Sequence, residues 1–374
     1  MKVKAAVLYE MGQPQPYAKT KPIVIEEIEL DPPGPGEVLV EIKGAGLCHS
    51  DLSVINGARP RALPIALGHE AAGIVAEVGP EVHDLAAGDH VVLVFVPSCG
   101  DCVPCMEGRP ALCEPAAVAG AEGTLLTGTR RIKLNGEFIN HQVGVSCFAE
   151  YAVTSRRSLI KIDKELPLDL AALFGCAVLT GVGAVLNTGQ ARPGSTVAVV
   201  GLGGVGLNAL LAAKLIGASR LIAVDPLDDK LALARQLGAT DTVNAGDEDA
   251  VEQVREATSG GVDYAFEMAG TVEAMDIAYR ITRRGGTTVS AGLSHFEHDF
   301  SLRHVGMVAE ERTIKGSYMG SSVPVRDVPR FIELYREGRL PVDQLISARI
   351  PLKDINAGFD RLAAGDVIRQ VITF

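Results

Sequence analysis

Apolar and polar positions alternate along this chain in two different rhythms. Over the first third, apolar and β-branched runs such as Val38 to Ile42, Ala72 to Val78 and His90 to Val96 are short. Turn residues cut them apart, among them Pro32-Pro33-Gly34-Pro35-Gly36, Gly79-Pro80 and Gly88-Asp89. Short strands between Gly and Pro punctuation predict a twisted or barrel-like β domain. Near residue 177 the rhythm changes. From Thr196 onward, strands are predicted at Thr196–Val200, Arg220–Asp225, Asp241–Asn244, Val262–Glu267, Thr287–Ala291 and Thr313–Ser317. Helices are predicted between them at Gly204–Ile216, Asp228–Leu237, Asp247–Thr258 and Val272–Thr282. Such alternation predicts a parallel sheet wrapped by helices, and six strands match a doubly wound, dinucleotide-binding α/β fold.

Bulk properties narrow the function. The 374 residues are enough for two domains. A net charge of −11, from 35 basic and 46 acidic residues, sets a long-range field of the wrong sign for nucleic acid or an anionic membrane. Met1 to Tyr9 does not read as an export signal, because Glu10 interrupts the apolar stretch. Val197 to Ala213 is apolar enough to suggest a membrane span, but glycines and Asn208 interrupt it and Lys214 closes it. A buried strand, turn and helix is the better reading. Four of the seven cysteines crowd into fifteen positions, and in an acidic chain of this kind that points to metal ligands and a cytoplasmic location.

Two motifs carry chemistry on spacing alone. Gly201-Leu202-Gly203-Gly204-Val205-Gly206 fits G-x-G-x-x-G, follows one predicted strand and opens a predicted helix. Gly201 permits the tight turn, Gly203 lets the backbone approach a pyrophosphate, and Gly206 allows close packing of helix on strand. The helix N-terminus offers N–H groups to the phosphates. Asp225 ends the next strand, 19 residues after Gly206, where a carboxylate meets the adenosine ribose. It would repel a 2′-phosphate, and neither Pro226 nor Leu227 could bind one, so NAD is expected over NADP. The second motif is Cys99, Cys102, Cys105 and Cys113, C-x-x-C-x-x-C-x7-C, with Gly100 and Pro104 supplying turns. Four thiolates make a closed, structural zinc site. The gap of seven residues before the last cysteine differs from the usual ferredoxin spacing, which counts against an iron–sulfur cluster.

A third constellation is looser. It includes Gly46-Leu47-Cys48-His49-Ser50-Asp51 and Gly68-His69-Glu70. A catalytic zinc takes three protein ligands and keeps one position open, and two cysteines with one histidine is a known set. Cys48 and His49 are neighbours and should point apart if the chain is extended there, which favours His69 as the nitrogen ligand. Spacing does not choose between Cys147 and Cys176.

Taken together, Cys48-His49-Ser50-Asp51, Gly68-His69-Glu70, the four-cysteine loop, Gly175-Cys176, Gly201–Gly206 and the tail Ile368-Arg369-Gln370-Val371-Ile372-Thr373-Phe374 resemble the zinc-containing medium-chain alcohol dehydrogenases. The resemblance runs along essentially the whole chain. It implies a GroES-like, mainly β catalytic domain over 1–177 and 325–374, with a Rossmann domain over 178–324. It implies two zinc ions per chain and NAD as cofactor. Cys48, His69 and Cys176 would hold the catalytic zinc, leaving Cys147 a bystander. Asp51 would orient His69, and Glu70 would sit behind the metal. Ser50 would hydrogen-bond the alcohol oxygen and start a proton relay, His49 and Arg369 would contact the pyrophosphate, and Lys230 would lie near the ribose. Phe95 would wall the substrate pocket. The long stretch from Ala119 to Val145 resembles the dimeric members, so a homodimer acting on a small alcohol, aldehyde or ketone is expected. One departure stands out. Many members carry a histidine where this chain has Ser53, so a proton relay must end in water or another group. No acidic residue stands in Gly57-Ala58-Arg59-Pro60-Arg61, which counts against a glutathione adduct as substrate. Two rival readings are a zinc-free quinone or enone reductase of the same fold and a non-catalytic NAD- and zinc-binding sensor.

Overall fold

In the computed structural model, which describes residues 1–374, the chain divides into two compact units. One comprises Met1–Cys176, Val323–Ile332 and Asp343–Phe374; the other comprises Ala177–Ser322 and Glu333–Val342.

The first unit is organised around the strand Glu37–Gly46. Its Val38, Val40 and Ile42 enter one buried apolar cluster and Leu39 enters another, the period-two pattern of a strand with core on both faces. Ala71–Val78 runs antiparallel along one edge. Along the other edge, Tyr151–Ser155 pairs with its first half and Arg369–Thr373 with its last residues. His90–Leu93 and Leu159–Ile162 extend the sheet beyond Ala71–Val78, and Ile346–Pro351 extends it beyond Arg369–Thr373. A second sheet grows from the antiparallel pair Lys2–Leu8 and Ile23–Leu30. This is the twisted, barrel-like β domain that the short strands predicted.

The pairing delivers distant residues to one place. Cys48 stands just past the end of Glu37–Gly46, His69 and Glu70 stand just before Ala71–Val78, and Arg369 begins its strand. Backbone bonds lock the register, from Gly46 N–H to the Glu70 carbonyl at 2.8 Å and from Leu47 N–H to the Gln370 carbonyl at 2.9 Å. Cys176 follows the turn Ala172–Gly175. A Cβ at Gly175 would lie 2.3 Å from the Leu93 carbonyl oxygen, so the close approach that brings Cys176 to the sheet needs a glycine.

The second unit carries six parallel strands in the order Asp241–Asn244, Arg220–Asp225, Thr196–Val200, Val262–Glu267, Thr282–Ser290, Thr313–Gly316. In sequence order this is 3-2-1-4-5-6, the doubly wound Rossmann arrangement. The apolar stretch after Val197 is a buried strand followed by the helix Gly204–Leu215, whose residues Gly206 to Ala213 are all buried. No single helix is long and apolar enough to cross a membrane.

Among the predicted boundaries that move, three have a local cause. The strand expected at Thr287 begins at Thr282, passing through Gly285 and Gly286 with a shift of register. The glycine pair reads as a turn in sequence but is absorbed as a strand irregularity. The helix expected from Asp247 begins at Ala250, because Asn244 accepts the Gly246 and Asp247 N–H groups in a turn. The strand His90–Leu93 stops short of Val96, since Phe95 and Val96 bend away ahead of Pro97.

Candidate active site

Cys48 has an extended backbone, φ −130° and ψ 152°, and is the N-cap of the helix His49–Ile55. A helix start, rather than an extended chain, therefore separates it from His49. Cys48 is buried while His49 is exposed. The Cys48 N–H donates to Asp51 Oδ2 at 3.2 Å, so Asp51 caps the first turn. The other oxygen, Oδ1, meets His69 Nδ1 at 2.8 Å. One carboxylate thus serves both the turn and the imidazole.

One ligand atom each from Cys48, His69, Glu70 and Cys176 lie within 4.8 Å of one another, and all four residues are buried. In a tetrahedral zinc site with bonds of about 2.0–2.3 Å, ligand atoms sit roughly 3.3–3.8 Å apart. The spacing fits. The donor chemistry fits too. His69 Nε2 is buried with no hydrogen-bond partner, which is how a nitrogen committed to a metal should look. Hydrogen bonding from Cys176, with the nearby charges of His69 and Arg369, holds the Cys48 thiol well below its usual range despite burial, while Cys176 is held well above. Burial opposes charge on His69, but the Asp51 carboxylate outweighs it and raises the imidazole pKa. Cys147 is buried nearby but falls outside this group, whereas Cys176 falls inside it.

Glu70 pairs with Arg369, and both are almost fully buried. Burial lifts the Glu70 carboxyl to about 7, with Arg369 opposing it. A Cβ at Gly46 would clash with Glu70 Oε1 at 2.6 Å and Arg369 Nη2 at 2.8 Å, so this ion pair depends on a glycine in the strand. Gln142 also belongs to the site, although no motif marks it. Its Nε2 donates to Asp51 Oδ1 at 2.9 Å and its Oε1 accepts the Gly68 N–H at 2.5 Å. Only the pairing of Ile65–Ala66 with Asn140–His141 brings it there.

The second group is the four-cysteine loop. Its thiols also lie within 4.8 Å of one another, with Cys99 and Cys105 Sγ 4.0 Å apart. That is far beyond a disulfide bond of about 2.05 Å and close to the edge of a thiolate tetrahedron of about 3.8 Å. Cys102 caps Val103–Met106 and Cys113 caps Glu114–Glu122, each followed by a helix-starting proline. Cys99 Sγ accepts N–H groups from Asp101 and Cys102 at 3.4 and 3.3 Å. Burial works against charge there, but these donors bring its thiol down to about 7.

The glycine loop has the required shape. Gly201 has φ +90°, and a Cβ there would meet Ala269 at 2.7 Å. Gly206 packs against the Gly201 carbonyl, where a Cβ would come within 1.8 Å. A Cβ at Gly203 would meet nothing within 4 Å, so the loop is open on that side. Buried Asp225 accepts the Leu202 N–H at 2.7 Å and the Leu227 N–H at 3.0 Å, tying its strand end to the loop.

Residues 34–164 match the model of the alcohol dehydrogenase GroES-like domain, and residues 204–337 match that of the zinc-binding dehydrogenases. Alcohol dehydrogenase class-3 of Drosophila melanogaster is 40% identical over 377 residues, covering 99% of this chain and 97% of that protein. The chain belongs to the zinc-containing medium-chain alcohol dehydrogenases.

Solved structures of similar alcohol dehydrogenases agree. Benzyl alcohol dehydrogenase from Acinetobacter calcoaceticus is 32% identical with a TM-score of 0.93, covering 100% of this chain and 99% of that one. A putative zinc-binding dehydrogenase from Sinorhizobium meliloti, bound to NADP, is 28% identical with a TM-score of 0.81 and full coverage of both chains. In this chain, Phe95 sets its ring edge-on to His69 with centroids 5.6 Å apart. Ser50 is half-buried in the first helical turn after Cys48. Ser53 turns its hydroxyl back to the His49 carbonyl at 2.9 Å. Lys230 is half-buried on the helix Asp228–Leu237.

Proposed function

We propose that this chain is a zinc-dependent alcohol dehydrogenase that moves a hydride reversibly between a small alcohol and NAD, producing an aldehyde or ketone. The observation that carries the reading is the unpartnered, buried His69 Nε2 among the thiols of Cys48 and Cys176. Those three residues would hold a zinc with one open position, Glu70 lying behind it, and Cys99, Cys102, Cys105 and Cys113 would hold a second. A zinc bound in the first set supplies a Lewis acid that makes an alcohol hydroxyl more acidic. The protein's own part is positioning and proton handling. Asp51 keeps the proton on His69 Nδ1, which leaves Nε2 a lone-pair donor. Ser50 would accept a hydrogen bond from the alcohol hydroxyl and relay its proton, passing its own on as the alcohol's arrives, and a bound nicotinamide would supply the hydride acceptor. The proton then leaves to water, because Ser53 is not a base near neutral pH and its hydroxyl is already committed. Phe95 forms a wall beside the reacting carbon.

The division of labour follows the chain. Residues 1–177 and 325–374 would do the chemistry, and 178–324 would bind the cofactor at Gly201 to Gly206. Asp225 favours NAD, since its carboxylate would repel a 2′-phosphate and neither Pro226 nor Leu227 could bind one. The Sinorhizobium protein carries NADP, so the preference must be measured on this chain. The benzyl alcohol dehydrogenase likeness recommends aromatic alcohols alongside primary and secondary ones. The test is NADH formation across that panel with NAD+ and NADP+. Turnover favouring NAD+ is expected, and undiminished turnover in a zinc-free preparation would overturn the reading.

A further inference from the structure

We infer that Gln142 is a positioning residue that fixes the proton on His69 and so governs how firmly the buried cluster keeps its metal. The inference rests on the zinc reading of that cluster and adds a residue to it.

Strand pairing sets the position of Gln142. Ile65–Ala66 and Asn140–His141 run parallel, with Ile65 facing Asn140 and Ala66 facing His141. Continuing both segments by one step sets Gln142 beside the Leu67–Gly68 turn that leads into His69. The turn is tight. Gly68 has φ +102°, and a Cβ there would meet Phe148 N at 2.5 Å and Cys147 Sγ at 2.9 Å. Gln142 is itself pinned, since its N–H donates to Ser146 Oγ at 2.9 Å and Ser146 Oγ donates to the Ala66 carbonyl at 2.9 Å. It is 4% exposed.

In that position the amide can be oriented only one way. Its oxygen must accept the Gly68 N–H, which cannot accept in return. Its NH2 group therefore faces Asp51 Oδ1, the same oxygen that meets His69 Nδ1. A group that only donates keeps that oxygen an acceptor. The proton between Asp51 and His69 must then sit on Nδ1, and Nε2 keeps its lone pair for the metal. Gln142 thus binds the turn before His69 with one end and selects the His69 tautomer with the other. Neither task is performed by Asp51 alone.

Gln142→Glu separates the two tasks. The substituted oxygen still accepts the Gly68 N–H, but the donor to Asp51 becomes a second acceptor. We expect wild-type protein to hold two zinc ions and to release them to a chelator in two phases. In Gln142→Glu the faster phase should accelerate by about tenfold or more, the scale on which groups backing a metal-bound histidine act. The slow phase, from the four-cysteine loop, should not change. Gln142→Met, which removes both hydrogen bonds at similar volume, covers the case in which the glutamate variant does not fold, and it should accelerate the same phase. The visible spectrum of cobalt-substituted protein should shift in both variants. A variant that melts earlier but releases both zincs at wild-type rates, with an unchanged cobalt spectrum, would overturn the inference. Wild-type protein holding zinc only in the four-cysteine loop would instead overturn the zinc reading on which it rests.

Discussion

The four-cysteine loop takes all its donors from one run of fifteen residues, whereas the buried cluster draws Cys48, His69 and Cys176 from three segments that only the sheet brings together. The loop's sulfurs are steadied by nearby backbone N–H groups and by helix starts at Cys102 and Cys113. The buried cluster is backed by side chains instead, namely Asp51, Gln142 and the Glu70–Arg369 pair. Four soft donors with no spare position staple a loop. Two thiols and an imidazole, with an unpartnered nitrogen and tuned protonation, suit a metal that must exchange ligands. The contrast separates holding from reacting.

That contrast can be broken at several points. The largest effect should come from Cys48→Ala. Losing Lewis-acid stabilisation worth several kcal/mol should reduce kcat/KM by about a thousandfold or more, while NADH fluorescence still reports cofactor binding. Retained turnover would mean that the cluster is not the reacting centre. Cys102→Ser should do the reverse. Melting, followed by calorimetry, should fall on the order of 10 °C as the loop loses its staple, while kcat per folded molecule at low temperature stays within about twofold. Asp225→Ala should leave both zinc ions in place and shift the NAD-over-NADP ratio of kcat/KM by roughly tenfold toward NADP, as steady-state kinetics with each cofactor would read. Smallest of all, Ser53→Ala should change kcat by less than about twofold across pH 6–9, because the Ser53 hydroxyl only bonds the His49 carbonyl one helical turn back. A large loss there would restore Ser53 to the proton path.

The same contrast explains what the sequence disclosed. Local features were readable because their physics is local. The cysteine spacing, the glycine loop before a helix, and the alternation that gives the parallel sheet each depend on residues close in the chain. Membership of the family was legible through motifs in order. Gln142 was not legible, since a lone amide in a long irregular stretch carries no period and no motif. Its role appears only when Asn140–His141 pairs with Ile65–Ala66. The burial of Arg369 against Glu70 was equally hidden, because it depends on the terminal strand lying beside Gly46. Asp51 serves two purposes at once. It caps the helix as a turn residue would and also meets His69 as a ligand-orienting carboxylate would.

The most direct test of the account is to count zinc and turnover together while a chelator strips the metal from the wild-type chain. The account predicts two zinc ions per chain, with activity falling in proportion to loss of the first ion and little further change as the second leaves. Full activity after the first ion has gone, or in a chain with no zinc at all, would contradict it.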